Sequence, residues 1–139
     1  MSFGRFMSTL RESMEAELRS AVVPLLRASS FRGSFPHFRR FVGNGIDLLT
    51  FQFDKNGGGF VIEISRCPKQ GVTTHWGKAI APKHVTAWDL HPDKRHRIQA
   101  THGSGTDAWF RYDGGQTLEC AKQVIEAFTR AEEWWARHA

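Results

Sequence analysis

Four groups of residues in this 139-residue chain have side chains suited to chemistry. The first is basic and aromatic: Arg32, Arg39, Arg40, Arg66, Lys69, Lys94, Arg95 and Arg97, interleaved with Phe38, Phe41, Trp76 and Trp109. Phosphates attract Lys and Arg, and bases stack on aromatic planes. Arg39, Arg40, Arg66, Lys69 and Lys94 are therefore the candidates for contacting nucleic acid. The competing reading is a solvated basic sheet face with the aromatics turned into the core. The aromatic consensus of the common RNA-binding sheet is missing. The second group is Arg97, Asp107 and Trp109, which Gln52 and Arg95 can join. An Arg paired to an Asp beside an aromatic wall can grip an anion or a planar ligand. The plainer alternative is an ion pair that locks two strands, with the Trp in the core.

Histidines form the third group. His75, His84, His91, His96 and His102 crowd one region, with Cys67 nearby. Structural zinc sites show tight spacings such as Cys-x-x-Cys, and none occurs here, so no metal ligand is assigned. The fourth group is Trp134-Trp135. Neighbours on a helix point about 100° apart, so one ring faces away from any core the other fills. That ring either marks a partner surface or folds back on the protein. Nucleophile elbows, Walker loops, dinucleotide-binding glycine patterns and His-Glu-x-x-His are all missing. Asn56-Gly57-Gly58-Gly59 reads as a hairpin turn, since it lies between strand-like runs rather than before a helix. No catalytic residue and no cofactor is assigned, and the reading leans away from an enzyme.

These side chains need a frame, and the stretch from Phe35 to Arg66 supplies it. In Leu48–Phe53 and Phe60–Ile64, apolar residues alternate with others, the period of a strand. Leu49, Phe51 and Phe53 share one face, as do Phe60, Ile62 and Ile64. Turns at Gly43-Asn44-Gly45 and at Asn56–Gly59 predict a three-stranded antiparallel meander with one greasy face. Before it, Leu10, Met14, Leu18, Val22 and Leu25/Leu26 repeat at helical spacing, with Ser8 or Thr9 as the cap. Pro24 kinks that helix or opens a short second one. After it, residues 67–93 carry Pro68, Gly71, Gly77, Pro82 and Pro92 and read as irregular. Arg95–Ala100 and Ala108–Tyr112 predict two more strands, joined into a second hairpin by Gly103-Ser104-Gly105. Thr117 caps a last helix whose stripe is Leu118, Ala121, Val124, Ile125, Phe128 and one of the two Trp.

The expected fold is α+β in one domain, residues 1–139: a central antiparallel sheet of about five strands with the N- and C-terminal helices on its greasy face. The opposite face is expected to stay polar, basic and open to water. The composition is 40% hydrophobic and 24% charged, with a net charge of +5, which fits a globular chain and argues against disorder. From Phe31 to Tyr112 there are twelve basic and six acidic residues; from Asp113 onward there are three and five. The two cysteines, Cys67 and Cys120, make no disulfide framework and are read as free thiols of a reducing compartment. No apolar run approaches the roughly 18 residues of a membrane span, and Arg11, Glu12 and Glu15 interrupt any signal-peptide core. A cytoplasmic protein is expected, a monomer or a weak homodimer.

Pro24-Leu25-Leu26, Phe31-Arg32, Phe38-Arg39-Arg40, Phe51-Gln52-Phe53, Phe60-Val61-Ile62, Arg95-His96-Arg97-Ile98 and Asp107-Ala108-Trp109-Phe110 follow one another in an order that covers most of the chain. That order resembles a bacterial family known as domain of unknown function 4304. Ser30 stands where the family usually has Gly, Gly33 comes late, and Gln99 follows Arg97-Ile98 where Gly is frequent. The resemblance implies the architecture and brings no activity, cofactor or catalytic residue. The expected function is thus a non-catalytic binding or interaction protein that takes a protein partner or a small anionic ligand at the open sheet face or its rim. An immunity-type protein that neutralises a toxin is one form of it. Nucleic-acid binding is the alternative, and a small hydrolase or nuclease comes third.

Overall fold

In a computed structural model the structure describes residues 3–101 and 105–139. Helix α1 (Phe3–Ala21) runs into a short α2 (Val23–Ala28), with Pro24 in the first turn of the second helix, where its missing N–H costs nothing. The helix starts earlier than a cap at Ser8 or Thr9 requires; the Thr9 hydroxyl instead donates to the Arg5 carbonyl within α1. α2 ends in a Schellman closure: Phe31 N–H bonds the Leu26 carbonyl and Ser30 N–H the Arg27 carbonyl, at 2.9 and 3.0 Å. Ser30 carries the left-handed turn at φ +76°. A glycine at this position would avoid the Cβ strain.

Strands β1 (Arg32–Ser34), β2 (His37–Val42), β3 (Gly45–Phe53) and β4 (Gly59–Pro68) follow as an antiparallel meander. Gly33 belongs in β1 for a steric reason: a Cβ there would sit 2.5 Å from the His37 carbonyl oxygen, at φ +114°. Strand β7 (His96–Ile98) and strand β8 (Phe110–Arg111) complete a six-stranded sheet, and β5 (Val72–Thr73) pairs with β6 (Ala79–Ile80) in a separate ribbon. The main sheet therefore has one strand more than expected. Helix α3 (Thr117–Arg137) closes the chain. Gln116, not Thr117, is its N-cap residue.

The expected second hairpin does not form. β7 and β8 both pair with β4, as Ile62–Ile98, Glu63–Arg97, Ile64–His96 and then Phe60–Phe110. They are two pieces of one edge strand, interrupted by an excursion pinched where Ala100 N–H meets the Ala108 carbonyl at 2.8 Å. Of the expected turn, Gly103 and Ser104 lie outside the described residues.

The main core lies between the helices and one sheet face. Met14, Leu18, Val22 and Leu26 meet Leu49, Phe51, Phe60, Ile62 and Ile64, with Val124, Ala131 and Trp135 from α3. The faces of β3 and β4 are as the alternation predicts. On α3 the stripe is shifted: Cys120 and Ala127 are buried, whereas Leu118 and Ile125 are exposed. The expectation of a bare reverse face fails over half its area. Ile46, Leu48, Cys67, Val85 and Ala87 make a second core, because residues 79–95 fold back across that half. Arg39 ties the cover down with two hydrogen bonds to the Val85 carbonyl, at 3.1 and 3.0 Å.

Candidate functional site

The other half of the reverse face holds a concavity of about 410 Å³ lined by Gln52, Glu63, Pro92, Arg95 and Arg97. Register explains the grouping. Thr50 pairs with Glu63, and Glu63 with Arg97, so Gln52, two residues along β3, shares their face. Arg97 Nε and Nη2 donate to one oxygen of Glu63 at 3.1 and 2.9 Å. Its guanidinium also lies 5.6 Å from the Trp109 ring centroid, so an aromatic wall stands beside the pair. Arg95 reaches the pocket after donating to the Leu90 and Trp88 carbonyls at 2.9 and 3.1 Å, which fixes the turn above it. The side-chain amide of Gln52 makes no hydrogen bond among the described residues.

Four of the five ligand candidates, Gln52, Arg95, Arg97 and Trp109, thus come together. Asp107 does not. It is exposed in a 3-10 turn on the excursion, and Glu63 takes the Arg97 guanidinium in its place. Sequence reading missed Glu63, although its place among the apolar residues of β4 marks an acid that needs a cation. Next to the pocket, His37 Nδ1 lies 2.9 Å from the Thr50 hydroxyl, and its ring meets exposed Trp88 edge-on at 4.9 Å. Burial first, then Arg39, holds the His37 imidazole below its ordinary pKa, with Asp89 opposing.

The nucleic-acid candidates scatter. Arg39 is tied to Val85. Arg40 and Arg66 lie on the helix side, where both hold Asp47. Arg40 also bonds Glu132, through Nη1 at 3.0 Å, and sits 4.5 Å over Phe31. Among these candidates Lys69 and Lys94 remain in solvent. The histidines disperse as well. The rings of His75 and His91 touch at 5.1 Å, His96 stacks against Trp134, and His84 is exposed. His102 lies outside the described residues. No group of three His, Cys, Asp or Glu able to hold a metal ion occurs among the described residues.

A wider concavity of about 670 Å³ includes Arg66, Cys67, Lys94, Trp134 and His138. Burial pushes the Cys67 thiol up to about 11 against the opposing pull of Arg66, and burial alone pushes Cys120 to about 12. Both are free and buried, so neither presents a thiolate near neutral pH. Trp135 is the buried member of the Trp pair and donates to the Ser65 carbonyl at 2.9 Å. Trp134 is half-buried between His138 and His96. Among the described residues no helix is long and apolar enough to cross a membrane.

No curated protein and no solved structure matches this chain. A family does match, over nearly the whole length: residues 12–138 fit the one described as Domain of unknown function (DUF4304), and the chain belongs to that family.

Proposed function

We propose that this protein is a non-catalytic binding module, and that its reverse-face pocket receives a carboxylate side chain of a protein partner. The observation that carries this reading is the pocket's polar inventory. Arg95 and Arg97 face a single acid, Glu63, so the lining keeps one net positive charge. Gln52 offers an amide with no hydrogen bond inside the described protein. An arginine held in position by Glu63 and Trp109 loses little freedom when it takes a second acceptor. Exposed Trp88 borders the pocket through its carbonyl's contact with Arg95, and aromatic residues with arginines are the usual anchors of protein interfaces.

Succinate, titrated at fixed ionic strength, is the probe. The indole N–H signal of Trp109 and the side-chain amide of Gln52 should shift and saturate, and Arg97→Lys should weaken the response, because a point charge does not replace the planar fork. Succinate-induced shifts elsewhere, with these two signals unmoved, would overturn the reading.

A further inference from the structure

Between the free side of β7 and the last turns of α3 lies a second cleft, of about 450 Å³. It shares Arg97 with the reverse-face pocket and is otherwise built from different residues. Positions 130, 133 and 137 fall on one face of α3, so Arg130, Glu133 and Arg137 line one wall and His96 and Arg97 the other. Three guanidiniums thus meet two carboxylates, Glu133 and the Glu63 that holds Arg97, and one positive charge is left over. Arg130 spends one N–H group on the Gln99 carbonyl. Arg137 has no ion-pair or hydrogen-bond partner among the described residues. The His96 ring is oriented by parallel stacking on Trp134, 5.9 Å away, and Trp134 in turn stacks on His138 at 3.9 Å.

We infer that this cleft binds a tetrahedral oxyanion, a phosphate or the phosphoryl group of a larger ligand, held by Arg137 and Arg130 with His96 at its rim. Guanidinium is the side-chain group best matched to such oxygens, offering several N–H donors in a fixed plane. A cation in the last turn of α3 also suits the helix dipole, but that role does not call for Arg130 two turns earlier. The volume lies within the range of small-ligand pockets, about 300–1,000 Å³, so a phosphoryl group attached to a larger body fits as well as the free ion.

The His96 ring is a built-in reporter. It faces Arg130, Arg137 and His138 from α3 and Glu63 from β4, and its pKa is lowered by burial first and then by Arg137. An anion seated on Arg137 should reverse the second effect. The experiment follows the His96 Hε1 signal against pH in chloride, then in inorganic phosphate and in phenyl phosphate at matched ionic strength. Saturable binding that raises the His96 pKa is the expected result. Arg137→Ala should weaken it about tenfold, the loss expected for one charge-assisted hydrogen bond, while Gln52→Ala in the other pocket leaves it unchanged. A response to inorganic phosphate supports free phosphate as ligand, and a response to phenyl phosphate alone supports the phosphoryl-bearing molecule. If neither probe moves His96, or if Arg137→Ala binds as the parent does, the inference fails, whatever succinate does at the reverse face.

Discussion

Asp47→Asn should be the most costly conservative change in this protein. Asp47 is 2% exposed on the helix side of β3, opposite Arg66 and beside Arg40. One of its oxygens accepts Arg40 Nε and Nη2 at 3.0 and 2.9 Å, and the other accepts Arg66 Nη1 at 2.6 Å. The two guanidinium side chains are themselves only 14% and 11% exposed. Three charge-assisted bonds at about 1.5–3 kcal/mol each set a ceiling near 5–9 kcal/mol. Part survives the substitution, because Arg40 keeps Glu132 and the Phe31 and Trp135 rings, and Arg66 keeps the Val42 carbonyl. Removing one member of a buried ion group leaves about 3–5 kcal/mol of loss, which at this chain length lowers Tm by roughly 10–15 °C. Urea unfolding measures it, with an unchanged slope showing that the native state is otherwise intact. Adding Arg66→Met to Asp47→Asn should return about 1–3 kcal/mol of coupling, since it removes the cation left without its acid. A loss below about 1 kcal/mol, or one that salt abolishes, would mean that the network is solvated and that the argument from burial is wrong.

Other changes have outcomes of either sign. Ser30→Gly should stabilise by about 0.5–1 kcal/mol, measured by the urea midpoint, because glycine adopts the left-handed turn without Cβ strain and loses only part of that gain to unfolded-state entropy. Phe51→Asp should abolish the cooperative near-ultraviolet dichroism change on heating, since Phe51 is 2% exposed among Phe35, Phe38 and Phe60 and a carboxylate there loses its hydration among aromatic rings. Lys94→Ala, on a solvated side chain, should stay within about 0.5 kcal/mol. His37 and His96 both have lowered pKa values, His37 by burial and then Arg39, His96 by burial and then Arg137. The unfolded chain therefore takes up protons first, so their contribution is complete above about pH 6.5 and is lost as pH falls through the folded values. Urea midpoints at pH 7.5 and 5 should show the drop, and replacing either His with Gln should shrink it. Cys67 and Cys120 should resist a thiol reagent at neutral pH in the native protein and react promptly in denaturant, being buried with pKa values of about 11 and 12.

Much of this architecture could be read from residue order, and the parts that could not have physical causes. Alternation in Leu49–Phe53 and Phe60–Ile64 fixes which side chains share a face, and the glycine turns fix the meander. The reverse face was misread because its second signal is short. Ile46 and Leu48 on β3 and Val61 and Cys67 on β4 are also apolar, the mark of strands buried on both sides, but Thr50, Gln52 and Glu63 dilute it. What covers Ile46, Leu48 and Cys67 is Val85 and Ala87, held by 3-10 turns and side-chain bonds to backbone, which have no sequence period. Ion-pair partners are equally hard to read. Arg97 had Asp107 near in sequence and Glu63 far away, and strand register chose Glu63. The basic candidates are dispersed for the same reason, since charge counts ignore which arginines a buried acid claims.

The split edge strand bears on how crowded copies of this chain behave toward one another. β7 has three residues and β8 two, and they are separated by a detour; at the far rim β1 has three. The longest strands, β3 and β4, with nine and ten residues, lie inside those rims. A stray extended segment meets only two or three rungs before the ladder stops, too few to zip two sheets into a continuous ribbon. At the end of β4 that β7 leaves bare, the Trp135 indole already occupies the Ser65 carbonyl. Filling in the detour to make one straight border strand would tidy the architecture and, by the same logic, turn a self-limiting edge into a seed for fibres.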